Sequence, residues 1–338
     1  MPQDAFEATA PTRVDLAGGT LDIWPLYLFH PGAVTVNVAI DRRAWCRVRL
    51  GGERVRVESK DTLQQAEAGS VAELLAREKP PLAAWVLAAL RIETGVHVVT
   101  QSRVPAGSGL GGSSSLAVVV GAATARALGR EIGPEELWPL VRDAEAQSIG
   151  VPAGSQDHAA AIHGGLLALH LAPGEQRVER LPVDPGVVEQ CLLLVAAGGT
   201  RFSGVNNWEV FKGQIDGDGE IRGALRSIAR IAAALREALV AGRYADVPEL
   251  IAEEWRARKR LCPGVTTPEI DRIVEIAERH GGAAKVCGAG GGGVVAVWAE
   301  PGGRGEGPRE RVLAALEAEG LKAFPFRADL RGLEVDRA

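Results

Sequence analysis

No stretch of about 18 residues in this 338-residue chain is both apolar and free of charge, so nothing in it reads as a membrane-spanning helix. No Lys/Arg run long enough to form a basic patch occurs either. With 38 basic against 43 acidic residues the formal net charge is −5, and the chain lacks the basic patch that nucleic acid or an anionic membrane would need. The four cysteines, Cys46, Cys191, Cys262 and Cys287, include no C-x-x-C pair. That excludes a zinc ribbon or a disulfide framework and leaves reduced, mostly buried thiols. The six histidines show no H-E-x-x-H or other metal-binding spacing. The segment MPQDAFEATAPTR has no basic stretch leading into an apolar one, so no secretory leader is predicted and the expected compartment is the cytoplasm.

What the chain has in excess is glycine, 42 residues against an average usage of about 7%. A collagen-like or flexible chain would spread its glycine periodically or evenly. Here much of it falls in Gly18-Gly19, in the run Gly107 to Gly112 and in Gly288 to Gly293. Between the clusters the sequence is ordinarily periodic. Strands are predicted over 33–50, 54–58 and 96–102, and helices over 81–91, 113–128 and 134–148. The polar, proline-containing stretch 171–186 reads as the junction between two domains, 1–185 and 186–338. The second half gives a strand over 191–197, helices over 220–240, 246–261 and 268–280, strands over 284–287 and 294–299, a helix over 309–319 and a strand over 322–326. That order suits a split-βαβ, ferredoxin-like domain.

The run Gly107-Ser-Gly-Leu-Gly-Gly112 satisfies G-x-G-x-x-G, with Glu131 about 20 residues on, as in a dinucleotide site. A Rossmann unit, however, needs a strand after the helix to carry that acid, and 134–148 reads as a second helix. The competing feature is Ser113-Ser114-Ser115 at a helix N-terminus, where free N–H groups and the positive dipole end favour phosphate. A glycine-rich turn with a serine cap accounts for one Gly and one Ser and leaves the rest of the run unused. No G-x-x-x-x-G-K-[ST], H-R-D or D-F-G is present, which excludes P-loop and protein-kinase phosphate sites.

With Pro11-Thr-Arg-Val-Asp-Leu-Ala-Gly-Gly19, Asp22, Pro105-Ala-Gly-Ser-Gly-Leu-Gly-Gly-Ser-Ser-Ser115 and Lys285-Val-Cys-Gly-Ala-Gly-Gly-Gly-Gly293 in that order, the chain resembles the GHMP small-molecule kinases. Ala144-Glu145 and Gly154-Ser-Gln-Asp157-His match a further family segment. Within the family the motifs look most like the heptose-phosphate and fucose kinase branch; galactokinases and mevalonate kinases usually carry Gly-Glu-His where this chain has Gly18-Gly19-Thr20. The resemblance implies an α+β fold of two domains, a ribosomal protein S5 domain 2-like ATP-binding domain and a ferredoxin-like domain, with the site in the cleft between them.

It also implies roles. The backbone of Gly107, Ser108, Gly109, Leu110, Gly111, Gly112, Ser113 and Ser114 cradles the ATP phosphates. Ser113 and Glu145 hold Mg²⁺, with Gly112 standing where the family often has a serine. Asp157 serves as general base, steadied by Arg13. Gly19, Asp22, Asp157, Arg201, Gly288 and Gly290 meet the substrate, and Lys212 is a further candidate for an anionic substrate group. Plainer readings stand beside these: Asp157 as a helix cap, Glu145 as a solvated helix carboxylate, Arg13 at a strand end, Asp22 in a turn, and 288–293 as a wide hairpin. Trp24, Tyr27, Trp208 and Trp255 read as core or interface before they read as stacking platforms. The expected activity is ATP- and Mg²⁺-dependent phosphorylation of a sugar or sugar phosphate, by a protein with no nucleic-acid or membrane partner and with homodimerisation open. A mevalonate-type kinase and a non-catalytic ATP- or sugar-binding protein are the alternatives.

Overall fold

Ala5–Ala17 form one strand, β1, whose last eight residues are all buried. It pairs antiparallel with the 17-residue β2 (Val34–Leu50), and the register shifts between Pro11 and Thr12 and again between Asp15 and Ala17. Such irregularities re-aim side chains, and here they flank Arg13 and Asp15. The computed structural model describes residues 4–174, 176–198, 204–303 and 305–338. Arg201 lies outside the described residues.

Among them, the further strands are β3 (Val55–Ser59), β4 (Gln65–Ala68), β5 (Val96–Ser102), β6 (Leu166–Leu171), β7 (Gln176–Arg180), β8 (Leu192–Ala196), β9 (Ala283–Val286), β10 (Val294–Trp298), β11 (Ala323–Phe324) and β12 (Glu334–Arg337). The helices are α1 (Val71–Leu75), α2 (Leu82–Ala89), α3 (Gly112–Ala127), α4 (Pro134–Ile149), α5 (Gln156–His163), α6 (Pro185–Cys191), α7 (Gly204–Asp216), α8 (Gly219–Val240), α9 (Val247–Lys259), α10 (Pro268–Arg279) and α11 (Pro308–Ala318).

The first sheet runs β12-β1-β2-β5-β3-β4, with β6 on β2 and β7 on β6. The second runs β11-β8-β10-β9 and is antiparallel throughout. In its own strand order that is 4-1-3-2, the split-βαβ arrangement expected from the sequence. The polar junction read over 171–186 contains a strand, β7, and the chain's last strand returns to pair with β1.

The dinucleotide reading fails on topology. Helix α4 follows α3 directly, and among the described residues the one strand parallel to β5 is β3, which precedes it in the chain. Glu131 is exposed and pairs with Arg126 at 2.7 Å.

One face of the first sheet packs Ala44, Val48, Val57 and Val98 against Val118, Leu137 and Val141 of α3 and α4. Val14, Leu16, Val36 and Val38, from β1 and β2, pack instead with Leu194, Leu235, Ile251 and Trp298 of the second half. Helix α10 brings Ile270, Ile273 and Val274 under the second sheet. Its start was legible: Thr267 Oγ1 accepts from Ile270 N at 3.3 Å, with Pro268 in the first turn. The two halves are thus welded along β1, and the site lies at the end of that seam.

Candidate active site

The loop from β5 to α3 places three glycines in the left-handed region, Gly107 (φ +74°), Gly109 (+77°) and Gly111 (+76°). Its carbonyls are turned into the protein. Ser108 O accepts from Val294 N, Leu110 O from Arg13 N, both at 2.9 Å, and Gly109 O from the Arg13 guanidinium. Gly111 is the N-cap of α3 and offers no side-chain acceptor. The first-turn N–H groups therefore have no intrahelical or capping partner and suit an anion. The third glycine cluster buttresses this loop. A Cβ on Gly288 would stand 3.0 Å from Gly109 Cα, and one on Gly293 2.6 Å from Ser108 O. The plain hairpin reading of 288–293 therefore leaves out what its glycines do: they let one backbone lie directly on another.

Above the loop a cavity of about 880 Å³ is lined from both halves of the chain. Of the phosphate-loop residues named from the sequence, all but Leu110 line it; the Leu110 side chain is buried beneath. Gly19, Asp22, Arg13, Glu145, Asp157, Gly288 and Gly290 line it too, whereas Lys212 does not. Val57, Leu82, Ala83, Leu116 and Val120 add apolar lining, beside polar residues that include Ser59, Asp61 and Gln65.

Arg13 and Asp157 meet in the cavity lining. Arg13 is 4% exposed, and its Nε and Nη2 reach Asp157 Oδ1 at 2.8 and 2.6 Å. Burial lifts the Asp157 carboxyl above the usual carboxylate range, and the Arg13 cation offsets this only in part. Asp157 sits in the first turn of α5, yet the turn is capped from outside. Asp22 Oδ2 accepts from Ser155 N at 2.7 Å and Gln156 N at 2.9 Å. Gly154 is glycine because a Cβ would stand 2.5 Å from that same oxygen. Asp157 is thereby released from capping and faces the cavity.

Burial drives the Asp22 carboxyl up to about 6, helped by the neighbouring charges of Asp157 and Asp15 and opposed by its two backbone bonds. The folded protein then holds this proton more tightly than the unfolded chain. Stability falls as pH rises from about 4 to about 6, and the full cost remains above that. Asp22→Asn keeps an acceptor oxygen and removes the charge. It is expected to raise the unfolding free energy at about pH 8 by up to about 3 kcal/mol and to leave it unchanged near pH 4. Denaturant titration at the two pH values checks this; an equal difference at both would contradict it.

Glu145 on α4 is 5% exposed. Its Oε2 accepts from Ser114 Oγ at 2.6 Å and lies 3.0 Å from His158 Nε2. Burial alone would raise its pKa, but His158, Ser113 and Ser114 together hold it below the usual range. An ionised carboxylate beside the hydroxyls of Ser113, which is exposed to the cavity, and Ser114 is an oxygen-only donor set. It fits Mg²⁺, an ion that keeps waters and takes further ligands from phosphates. Gly112 leaves no room for the serine often found in the family, since a Cβ would stand 2.8 Å from Val104 Cγ2. Among the described residues no group of three or more His, Cys, Asp or Glu gathers as an all-protein metal cage.

Sequence reasoning gave no role to four buried charges, Asp15, Glu254, Arg258 and Lys285. Asp15 between Val14 and Leu16, and Lys285 between Ala284 and Val286, carried the available signal: a lone charge inside an apolar strand is paired when buried.

The α3 N-terminus, the Glu145 carboxylate with the Ser113 and Ser114 hydroxyls, and the Arg13–Asp157 pair thus line one cavity, an arrangement chemically suited to phosphoryl transfer. The chain belongs to the GHMP kinase family and is an ATP-dependent kinase: residues 71–165 match the GHMP kinases N terminal domain and residues 235–322 the GHMP kinases C terminal domain. It is 28% identical over 306 residues to the D-glycero-alpha-D-manno-heptose 7-phosphate kinase of Campylobacter jejuni, covering 86% of this chain and 88% of that one. It is also 28% identical to the mevalonate kinase of Thermococcus sibiricus, over 97% of this chain and 98% of that one. The crystal structure of a D-glycero-D-manno-heptose 1-phosphate kinase from Bacteroides thetaiotaomicron shares the fold, with a TM-score of 0.76 at 22% identity over 98% of this chain and 99% of that one. Among the described residues no helix is long and apolar enough to cross a membrane.

Proposed function

We propose that this kinase transfers the γ-phosphoryl group of ATP to a hydroxyl of a sugar or sugar phosphate. The observation that carries the proposal is the Arg13–Asp157 pair, set between the α3 N-terminus and Asp22 in one continuous cavity. The apolar lining from Val57, Leu82, Leu116 and Val120 takes the purine, and the Gly107–Ser114 backbone takes the phosphates. Ser113 and Glu145 would hold Mg²⁺, which would supply charge neutralisation on the phosphates. Asp157 accepts the proton of the acceptor hydroxyl, and its raised pKa suits it to that task. Arg13 keeps the carboxylate oriented and offsets negative charge as the phosphoryl group passes.

Asp22 presents a carboxylate to the acceptor, which suits a polyhydroxylated molecule because one carboxylate can accept from adjacent hydroxyls. The sugar reading also rests on the similarity to the heptose 7-phosphate kinase and on Gly18-Gly19-Thr20 in place of Gly-Glu-His. The full-length match to a mevalonate kinase makes mevalonate the acceptor to test against it. A coupled ADP-release screen over free sugars, sugar phosphates and mevalonate is expected to show turnover with a sugar or sugar phosphate. Turnover with mevalonate alone would overturn the assignment, and nucleotide binding without turnover on any acceptor would point to a binding protein.

A further inference from the structure

Behind the acceptor end of the cavity lie four charged side chains that phosphoryl transfer does not use. Asp15, Glu254 and Lys285 are fully buried, and Arg258 is 2% exposed. Lys285 Nζ stands 2.7 Å from Asp15 Oδ2 and 3.3 Å from Glu254 Oε1. Arg258 Nη2 stands 2.6 Å from the same Glu254 oxygen and 3.6 Å from Asp15 Oδ2. Two cations balance two carboxylates, contributed by β1, α9 and β9. Apolar side chains of similar volume would stabilise the seam at least as well, because desolvation offsets most of the attraction. The cluster therefore calls for a use beyond stability.

Arg258 supplies it. Its Nη2 donates to Gly19 O at 2.9 Å and its Nη1 to Thr20 Oγ1 at 3.2 Å. Thr20 is held at φ +80°, a left-handed conformation that a β-branched residue keeps only when its surroundings impose it. Gly19 is pinned alongside: a Cβ there would stand 2.6 Å from Asp15 Oδ2 and 2.8 Å from Gln156 Nε2. Leu21 N donates to Gly18 O and Ile23 N to Thr20 O, both at 3.2 Å, which closes the turn that carries Asp22. Gly19, Thr20 and Asp22 all line the cavity.

We propose that Arg258 is a positioning residue for the acceptor. Held by Glu254 and Asp15, with Lys285 balancing the charge, it fixes the Gly18–Thr20 turn so that Thr20 and Asp22 face the substrate, and it sets acceptor affinity without acting on ATP. The acceptor part of this assignment rests on the sugar-kinase reading; the ordering of the turn does not.

The test is the charge-balanced pair Arg258→Met with Glu254→Gln, which leaves Lys285 on Asp15 and removes both contacts to the turn. In hydrogen–deuterium exchange the peptide covering residues 18–24, with the Leu21 and Ile23 amides, is expected to exchange at least about tenfold faster while α3 is unchanged. The KM for D-glycero-D-manno-heptose 7-phosphate is expected to rise about tenfold, with the KM for ATP within about twofold of the parent. Unchanged exchange in the folded double variant overturns the proposal, whatever the acceptor. Faster exchange with an unchanged acceptor KM, or with both KM values raised alike, overturns the assignment to the acceptor. If the parent enzyme phosphorylates no sugar, the sugar-kinase reading fails and the exchange result still decides the role of Arg258. Should the double variant not fold, Arg258→Lys, which keeps the charge and loses the two-pronged contact, is read by the same criteria.

Discussion

Asp157→Asn is expected to lower kcat by about 10²–10⁴-fold while leaving the dissociation constant for ATP within about twofold. Asparagine has the same size as aspartate, and its oxygen still accepts from Arg13, whose Nε and Nη2 now converge on Asp157 Oδ1. What it lacks is the ability to take a proton. The helix start that Asp157 shares is held by Asp22 through Ser155 N and Gln156 N, so the substitution leaves the cap of α5 intact. The phosphate loop takes its shape from Val294 N, the Arg13 backbone N–H and its own left-handed glycines, none of which depends on the charge of Asp157. Steady-state kinetics with nucleotide-binding titration separates the two effects. A loss of kcat below about tenfold would remove Asp157 from proton transfer, and a parallel loss of ATP affinity would make it a structural anchor.

Gly109→Ala is expected to be among the most damaging single-methyl changes at the site. At φ +77° an alanine is strained by about 1–2 kcal/mol on backbone grounds alone. Its Cβ would also stand 2.2 Å from Cys287 O, a backbone atom that cannot swing aside as a long side chain could. The loop between β9 and β10 would have to part from the loop between β5 and α3, disturbing the Val294 N to Ser108 O bond that joins them. We expect a stability loss of about 3 kcal/mol and at least a tenfold rise in the KM for ATP, read by denaturant titration and initial rates. Gly129→Ala is the matched control: its φ of +73° carries the same backbone strain, and a Cβ there meets nothing within 4 Å. If the two substitutions cost the same, packing of the glycine loops on each other has no role.

The stretch from 96 to 149 was legible because each element there carries its own signal. An alternating strand gives β5, an Ala/Val-rich run that ends near Gly129 gives α3, and Pro134 opens α4. Strands β1, β4, β6, β7 and β12 were not predicted, and three of them show why. β1 is buried on both faces over its second half and breaks register twice, so it shows neither alternation nor a uniform apolar run. β7 and β12 are short, polar and partly exposed, and their pairing partners are set by the tertiary fold.

At the site, the residues proposed to meet phosphate, metal and proton were readable because they cluster in sequence motifs, and all of them but Leu110 line one cavity. The reason for the glycines was only half readable. Gly107, Gly109 and Gly111 take conformations a phosphate loop needs, but Gly288 and Gly293 serve mainly to let a second loop lie against the first. The Asp15–Lys285–Glu254–Arg258 cluster was out of reach because its members are separated by up to 270 positions and only folding brings them together. Arg201, named for an anionic substrate group, lies outside the described residues.

The most direct test follows the γ-phosphoryl group itself. With γ-labelled ATP, Mg²⁺ and a panel of sugars, sugar phosphates and mevalonate, the parent enzyme is expected to move label onto a sugar or sugar phosphate. Asp157→Asn is expected to bind the labelled ATP and transfer none on the same timescale. Label moving equally fast with Asp157→Asn, or reaching mevalonate and no sugar, would contradict the account.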